Sequence, residues 1–133
     1  MSRLSRRSIV AAATAAAACR PVPVTPPAGT AAGDHVEVDG VPIHFERKGR
    51  GPPLCLIHGA SGNLNDMTFR LGPALESRFD VIAVDRPGHG SSGTPAGGGV
   101  SINAQAALIR AALVRIGVER PLVLGHSYGG AVA

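Results

Sequence analysis

Cysteine, charge and long apolar runs are all scarce in this 133-residue chain. It holds two cysteines, 17% charged residues and no apolar stretch long enough to span a bilayer as a helix. Cys19 lies near the N-terminus and Cys55 inside an apolar run, which argues against the disulfide framework of a small secreted scaffold. An excess of one charge sign is missing from the body of the chain as well. The formal charge is +4, but Arg3, Arg6, Arg7 and Arg20 supply it, leaving nine basic against nine acidic residues from 21 to 133. That balance gives no support to a nucleic-acid-binding patch on the folded part, and no nucleic-acid partner is expected. No internal repeat is present.

What the chain does have is a 44% hydrophobic composition, which suits a buried sheet. Its length allows one domain, although α/β folds commonly run to roughly 200 to 250 residues.

The first 19 residues, MSRLSRRSIVAAATAAAAC, read as an export signal: a basic start, an apolar stretch from Ile9 to Ala18, and small residues before a cut. Ser5-Arg6-Arg7-Ser8-Ile9-Val10 resembles a twin-arginine signal, an address for proteins exported already folded. Ala16-Ala17-Ala18-Cys19 resembles a bacterial lipobox, with Ala16 where leucine is usual. Ala-x-Ala cleavage that leaves Cys19 unmodified competes with it, and a disordered Ala-rich tail is the third reading. The expected destination is periplasmic, secreted, or lipid-anchored, with membrane contact only through a lipid on Cys19. Residues 20–33 are rich in Pro and Gly and read as a linker, so the domain is expected over 34–133.

Two alternating runs, His35 to Val38 and Val41 to Arg47, are joined by Asp39-Gly40, a dipeptide that supplies positive φ to a hairpin turn. The continuous apolar runs Leu54 to Ile57, Val81 to Val84 and Leu122 to Leu124 predict strands buried on both faces. Leu64 to Phe79 predicts two short helices broken at Gly72-Pro73. A clearer helix starts at the Ser101 cap, carries Ile102, Ala106, Ile109, Leu113 and Ile116 on one face, and stops at Gly117. Strands alternating with helices predict a parallel sheet with right-handed crossovers.

Gly125-His126-Ser127-Tyr128-Gly129 fits G-x-S-x-G between an apolar strand and a run of small residues. On a sharp strand-to-helix turn the serine hydroxyl stands exposed, and residues two before and two after it must lack side chains to avoid collision. The following helix N-terminus favours developing negative charge. A plain Gly-rich turn is the alternative. Gly88-x-Gly90-x-x-Gly93 has the spacing of a dinucleotide-binding loop, but Thr94-Pro95 and the triple glycine from Gly97 cannot open the helix that would carry a pyrophosphate. No cofactor and no metal are expected.

Three motifs in order, His58-Gly59 after one strand, DRPGHGSS from Asp85 after the next and GHSYGG from Gly125 after the third, resemble the α/β-hydrolase fold family across about residues 35 to 133. The resemblance implies a mostly parallel sheet preceded by an antiparallel hairpin, with Ser127 as nucleophile. It also implies that the backbone N–H groups of Ala60 and Tyr128 form the oxyanion hole. His58 and Gly59 shape the loop after the first parallel strand, and Gly125 and Gly129 flank the nucleophile. His89 and Asp85 are read as structural, His126 as pointing away from the hydroxyl, and His35 and His44 as surface or strand residues. A serine at the turn argues against the dehalogenases and epoxide hydrolases of the family, which use aspartate there. It leaves esterases, cofactor-free haloperoxidase-like enzymes and carbon–carbon bond hydrolases.

In the family the catalytic acid and histidine follow the nucleophile in the chain, on later loops. The sequence therefore reads as the N-terminal half of a serine hydrolase acting on a small-molecule ester or similar acyl bond. That half is expected to be inactive by itself and to have the C-terminal half as its partner. The other reading is a non-catalytic remnant, or an exported lipoprotein that uses the half-sheet for binding.

Overall fold

The structure, a computed structural model, describes residues 33–133. The stretches expected to be an export signal, a lipid site at Cys19 and a linker, through residue 32, lie outside the described residues.

Strands β1 (Asp34–Val38) and β2 (Val41–Gly49) form the antiparallel hairpin expected from Asp39-Gly40. Both turn residues have positive φ, 51° and 80°, as a tight hairpin turn matched to strand twist requires. Strand β3 (Pro53–Ile57) pairs in parallel with β4 (Asp80–Val84) on one side and with β5 (Leu122–Gly125) on the other. β2 joins β4 antiparallel, giving the order β1-β2-β4-β3-β5.

The apolar runs of β3 and β4 are buried on both faces because alternate residues serve different layers. Cys55, Ile57, Ile82 and Val84 face Ile109 and Leu113 of α3 (Ile102–Arg115) and Val132 of α4 (Tyr128–Val132). Leu54, Leu56, Val81 and Ala83 face Leu64, Met67 and Leu75, supplied by or next to α1 (Asn65–Thr68) and α2 (Leu71–Leu75). Fully buried side chains such as Leu56 and Ile82 each contribute about 2 kcal/mol of hydrophobic stabilisation. Chain direction explains the two layers. The β3-to-β4 and β4-to-β5 connections step in opposite directions along the sheet, so crossovers of one hand place their helices on opposite faces.

Three expectations need correction. The break between α1 and α2 falls at Phe69-Arg70, and Gly72-Pro73 lies inside α2. Proline is tolerated there because the first turn of a helix has N–H groups without intrahelical partners. β5 is not buried on both faces: Leu122, Val123 and Leu124 are exposed, since β5 is the edge of the described sheet. In α3, Ile102 is exposed while Gln105 and Ala112 are buried, so the buried stripe is rotated from the apolar one. The α3 boundaries follow their signals. Ser101 Oγ accepts from Ala104 N–H at 3.2 Å, and Gly117 has φ 80°.

Candidate active site

Loops after adjacent parallel strands that depart toward opposite faces leave a crevice at the strands' carboxyl ends. β3 and β5 are such a pair, one leading to the α1 layer and the other to α4. Their ends are level, with Ile57 paired to Gly125. The crevice therefore brings His58-Gly59-Ala60 beside His126-Ser127-Tyr128.

The turn at Ser127 is tight. Ser127 has φ 51° and ψ −120°, a region that costs a non-glycine residue about 1 to 3 kcal/mol and persists only where its surroundings enforce it. Gly129 N–H donates to His126 O and Gly130 N–H to Ser127 O, both at 2.9 Å, which closes the turn and starts α4. Two close approaches require glycine. A Cβ on Gly125 would overlap the Gly129 carbonyl, and one on Gly129 would overlap the carbonyl oxygen of Ile57. Gly59 passes close to the serine, since a Cβ placed on it would be 3.4 Å from Ser127 Cβ.

Ser127 and Ala60 are exposed and Tyr128 is half-buried. Neither the Ala60 N–H nor the Tyr128 N–H donates to a protein acceptor among the described residues. Ser127, Gly59 and Ala60 share a cleft of about 390 Å³ with Met67, Leu71 and His126. A second cavity of about 410 Å³ lies on the other side of Ala60, lined by Arg86, His89, Gln105 and Tyr128 among others. The apolar groove between α3 and the β5 edge, about 290 Å³, lies apart from Ser127.

Both nitrogens of the buried His58 ring are engaged. Nδ1–H donates to Gly59 O at 2.9 Å, and Nε2 accepts from the Arg86 N–H at 3.0 Å. Burial holds its pKa below the ordinary value of 6.5, and the Arg86 charge acts in the same direction. His58 is thereby a neutral ring with no free lone pair for proton transfer. His89 Nδ1 lies 3.2 Å from Pro87 O, and its ring is tilted against His58. His126 is exposed, with Nδ1 against Gly59. No histidine is hydrogen-bonded to Ser127 among the described residues.

Three side chains matter here that sequence reasoning missed or read too plainly. Arg86 is buried, yet no carboxylate lies within 4 Å of its guanidinium among the described residues. Its Nε donates to His58 O at 3.1 Å, Nη2 to Gly59 O at 2.8 Å and Nη1 to Gln105 Oε1 at 2.8 Å. The guanidinium also stacks 4.7 Å from the Tyr128 ring centroid. Burial lowers its pKa, but a guanidinium remains charged at any ordinary pH. Gln105 continues the contact, donating to Val100 O at 2.9 Å and more weakly to Tyr128 Oη at 3.4 Å.

His44, read as a surface or strand residue, is half-buried and 2.8 Å from Asp85 Oδ2. Asp85 also accepts from Leu64 N–H and Ser91 N–H, tying the loop after β4 to α1 and the hairpin. Two charged residues directly after the β4 apolar run, Asp85 and Arg86, were the available signal; the partners of Arg86 and His44, distant in sequence, were not readable. Among the described residues no three His, Cys, Asp or Glu side chains are grouped to hold a metal.

A family model for the alpha/beta hydrolase fold matches residues 52–133. The dihydrolipoyllysine-residue acetyltransferase component of the acetoin cleaving system from Cupriavidus necator is 38% identical over 104 residues, covering 77% of this chain and 27% of that protein. A fluoroacetate dehalogenase from a Burkholderia species is 35% identical over 99 residues, covering 71% of this chain and 32% of that one. Among solved structures, a bacterial membrane phospholipase A described as a virulence factor superposes with a TM-score of 0.71 at 33% identity, covering 77% of this chain and 33% of that chain. The chain thus spans about a third or less of the length of these relatives. Strand order, turn geometry and the match across residues 52–133 together establish that the chain belongs to the alpha/beta hydrolase fold family.

Proposed function

We propose that this chain carries the nucleophile and oxyanion-binding part of a serine hydrolase acting on an ester or similar acyl bond of a small molecule. One observation carries the reading: an exposed serine on a strained turn, with two backbone N–H groups, free of protein acceptors among the described residues, on the loops that flank its crevice. Ser127 Oγ attacks the acyl carbon and its proton passes to a base. The carbonyl oxygen, now negative, accepts from Ala60 N–H and Tyr128 N–H, each worth about 3 kcal/mol in the transition state. Collapse expels the alcohol and leaves an acyl-serine, which water hydrolyses.

A serine hydroxyl is a weak nucleophile without a neighbouring base. His58 has no lone pair to offer, and the family resemblance implies that the base and the acid that orients it follow Ser127 on the later loops of a hydrolase-length polypeptide. The test is aryl-ester turnover by that polypeptide and by its Ser127→Ala variant; equal turnover by the two removes the proposal. The second reading, a non-catalytic binding module, is favoured by the lack of a histidine on Ser127 among the described residues. It predicts no serine-dependent turnover at any length.

We further propose export through the twin-arginine-like signal, to a periplasmic, secreted or lipid-anchored destination. The Arg6-Arg7 pair and the Ala-rich stretch before Cys19 support this.

A further inference from the structure

We propose that Arg86 is the positioning residue of the oxyanion hole: it fixes the direction of the Ala60 N–H by gripping the carbonyl of Gly59. The inference rests on the serine hydrolase reading and adds to it a residue that no motif marks as functional.

The peptide unit between Gly59 and Ala60 is planar and trans, so Gly59 O and the Ala60 N–H point in opposite directions. Whatever holds the oxygen therefore aims the N–H. Gly59 O accepts two hydrogen bonds, from Arg86 Nη2 at 2.8 Å and from His58 Nδ1 at 2.9 Å, which engages both of its lone pairs. Arg86 Nε holds the preceding carbonyl, His58 O, at 3.1 Å. One rigid guanidinium fork thus sets two successive peptide planes where the chain passes from the buried His58 and Gly59 to the exposed Ala60. The Arg86 backbone N–H, by donating to His58 Nε2, sets the tautomer in which Nδ1 can donate to Gly59 O. The residue therefore acts on the same carbonyl twice, once directly and once through the histidine.

The second donor is tied to the same group, since the guanidinium lies against the ring of Tyr128, whose backbone N–H is the other proposed donor. Gln105 takes Nη1 and fixes the fork in that plane.

A neutral donor could stitch the loop more cheaply. A buried guanidinium that finds only carbonyl and amide oxygens is costly to desolvate, and no carboxylate within 4 Å offsets it among the described residues. Its use is that the positive charge polarises the Gly59–Ala60 peptide and strengthens the Ala60 N–H as a donor, an effect that is large where the dielectric is low. This charge is needed in the transition state, when the substrate oxygen becomes negative, and little in the ground state.

The test combines two readouts. In the 133-residue chain, Arg86→Met should shift the Ala60 backbone 15N and Gly59 carbonyl 13C resonances while the β3, β4 and α3 signals stay in place; unmoved Gly59 and Ala60 resonances overturn the proposal. In the hydrolase-length polypeptide, Arg86→Met should lower kcat for an aryl ester about 100-fold with KM changed less than about threefold. Arg86→Lys, which keeps the charge but not the fork, should fall between, near 10-fold. If Arg86→Met does not fold, Arg86→Lys decides by both readouts. Full kcat in the Arg86 variants, with Ser127→Ala inactive, overturns this proposal alone. Undiminished turnover in Ser127→Ala overturns the hydrolase reading and this proposal with it.

Discussion

Gly125 and Gly129 face each other across the Ser127 turn so closely that a methyl group on the first would overlap the carbonyl of the second. Neither backbone can yield easily, because Gly125 is paired in β5 and Gly129 rests on the carbonyls of Ile57 and His58. Gly125→Ala should therefore destabilise the fold by about 3 kcal/mol, as overpacking of a tight site does. Gly40→Ala is the comparison: φ is 80° at Gly40 but space is open, so only the left-handed backbone penalty of about 1 to 2 kcal/mol applies. Urea unfolding of the two variants measures the difference, and equal losses would show that the turn has room.

His58 gives stability a pH dependence whose sign can be worked out. Its pKa in the fold is lowered by burial, so well above pH 6.5 the ring is neutral in both states and the imidazole bonds are fully present. As pH falls through 6.5 toward the lowered folded value, the unfolded chain takes up a proton that the folded chain resists, and stability drops. The unfolding midpoint of the native chain should fall more steeply from pH 7 to 5 than that of His58→Gln. Parallel profiles would mean that His58 is as easily protonated in the fold as outside it.

Cys55 is fully buried in β3, and burial pushes its thiol up to about 12. Because the thiolate is the reactive form, an aromatic disulfide reagent should not modify Cys55 in folded protein at pH 8. In a Cys19→Ser background the single thiol should react only as the chain unfolds, and its rate should track denaturant. Immediate reaction in buffer would contradict the burial of β3.

These strands were the most legible part of the sequence. Leu54 to Ile57 and Val81 to Val84 each have apolar residues at every position, which only a sheet covered on both faces demands. Ser101 and Gly117 marked α3 because caps act locally. The break near Gly72-Pro73 was misplaced because proline disrupts a helix interior but fits its first turn, and composition does not say which position it takes. The Ser127 turn was visible as a motif. Arg86 stood inside the DRPGHGSS motif, but its role was not visible, since it depends on carbonyls 27 and 28 residues away in sequence and on Gln105 from another element. Burial of β5 was overestimated because an apolar run does not record which neighbours are present to cover it.

Export should depend on the arginine pair. A reporter fused to residues 1–33 should cross the membrane, and the Arg6→Lys, Arg7→Lys version should stay behind. Mass spectrometry of the mature N-terminus then separates a lipidated Cys19 from an unmodified one. Export of both fusions alike would remove the twin-arginine proposal.

The most direct measurement of the central claim is p-nitrophenyl acetate hydrolysis by residues 1–133 and by the hydrolase-length polypeptide, each with Ser127 and with Ser127→Ala. The shorter chain should show no serine-dependent turnover, because the lone pairs of His58 are committed and no other histidine among the described residues is bonded to Ser127. The longer one should turn over, and Ser127→Ala should lower its kcat/KM by about 10⁴-fold or more. Turnover by the longer polypeptide that survives Ser127→Ala would contradict the assignment of Ser127 as nucleophile.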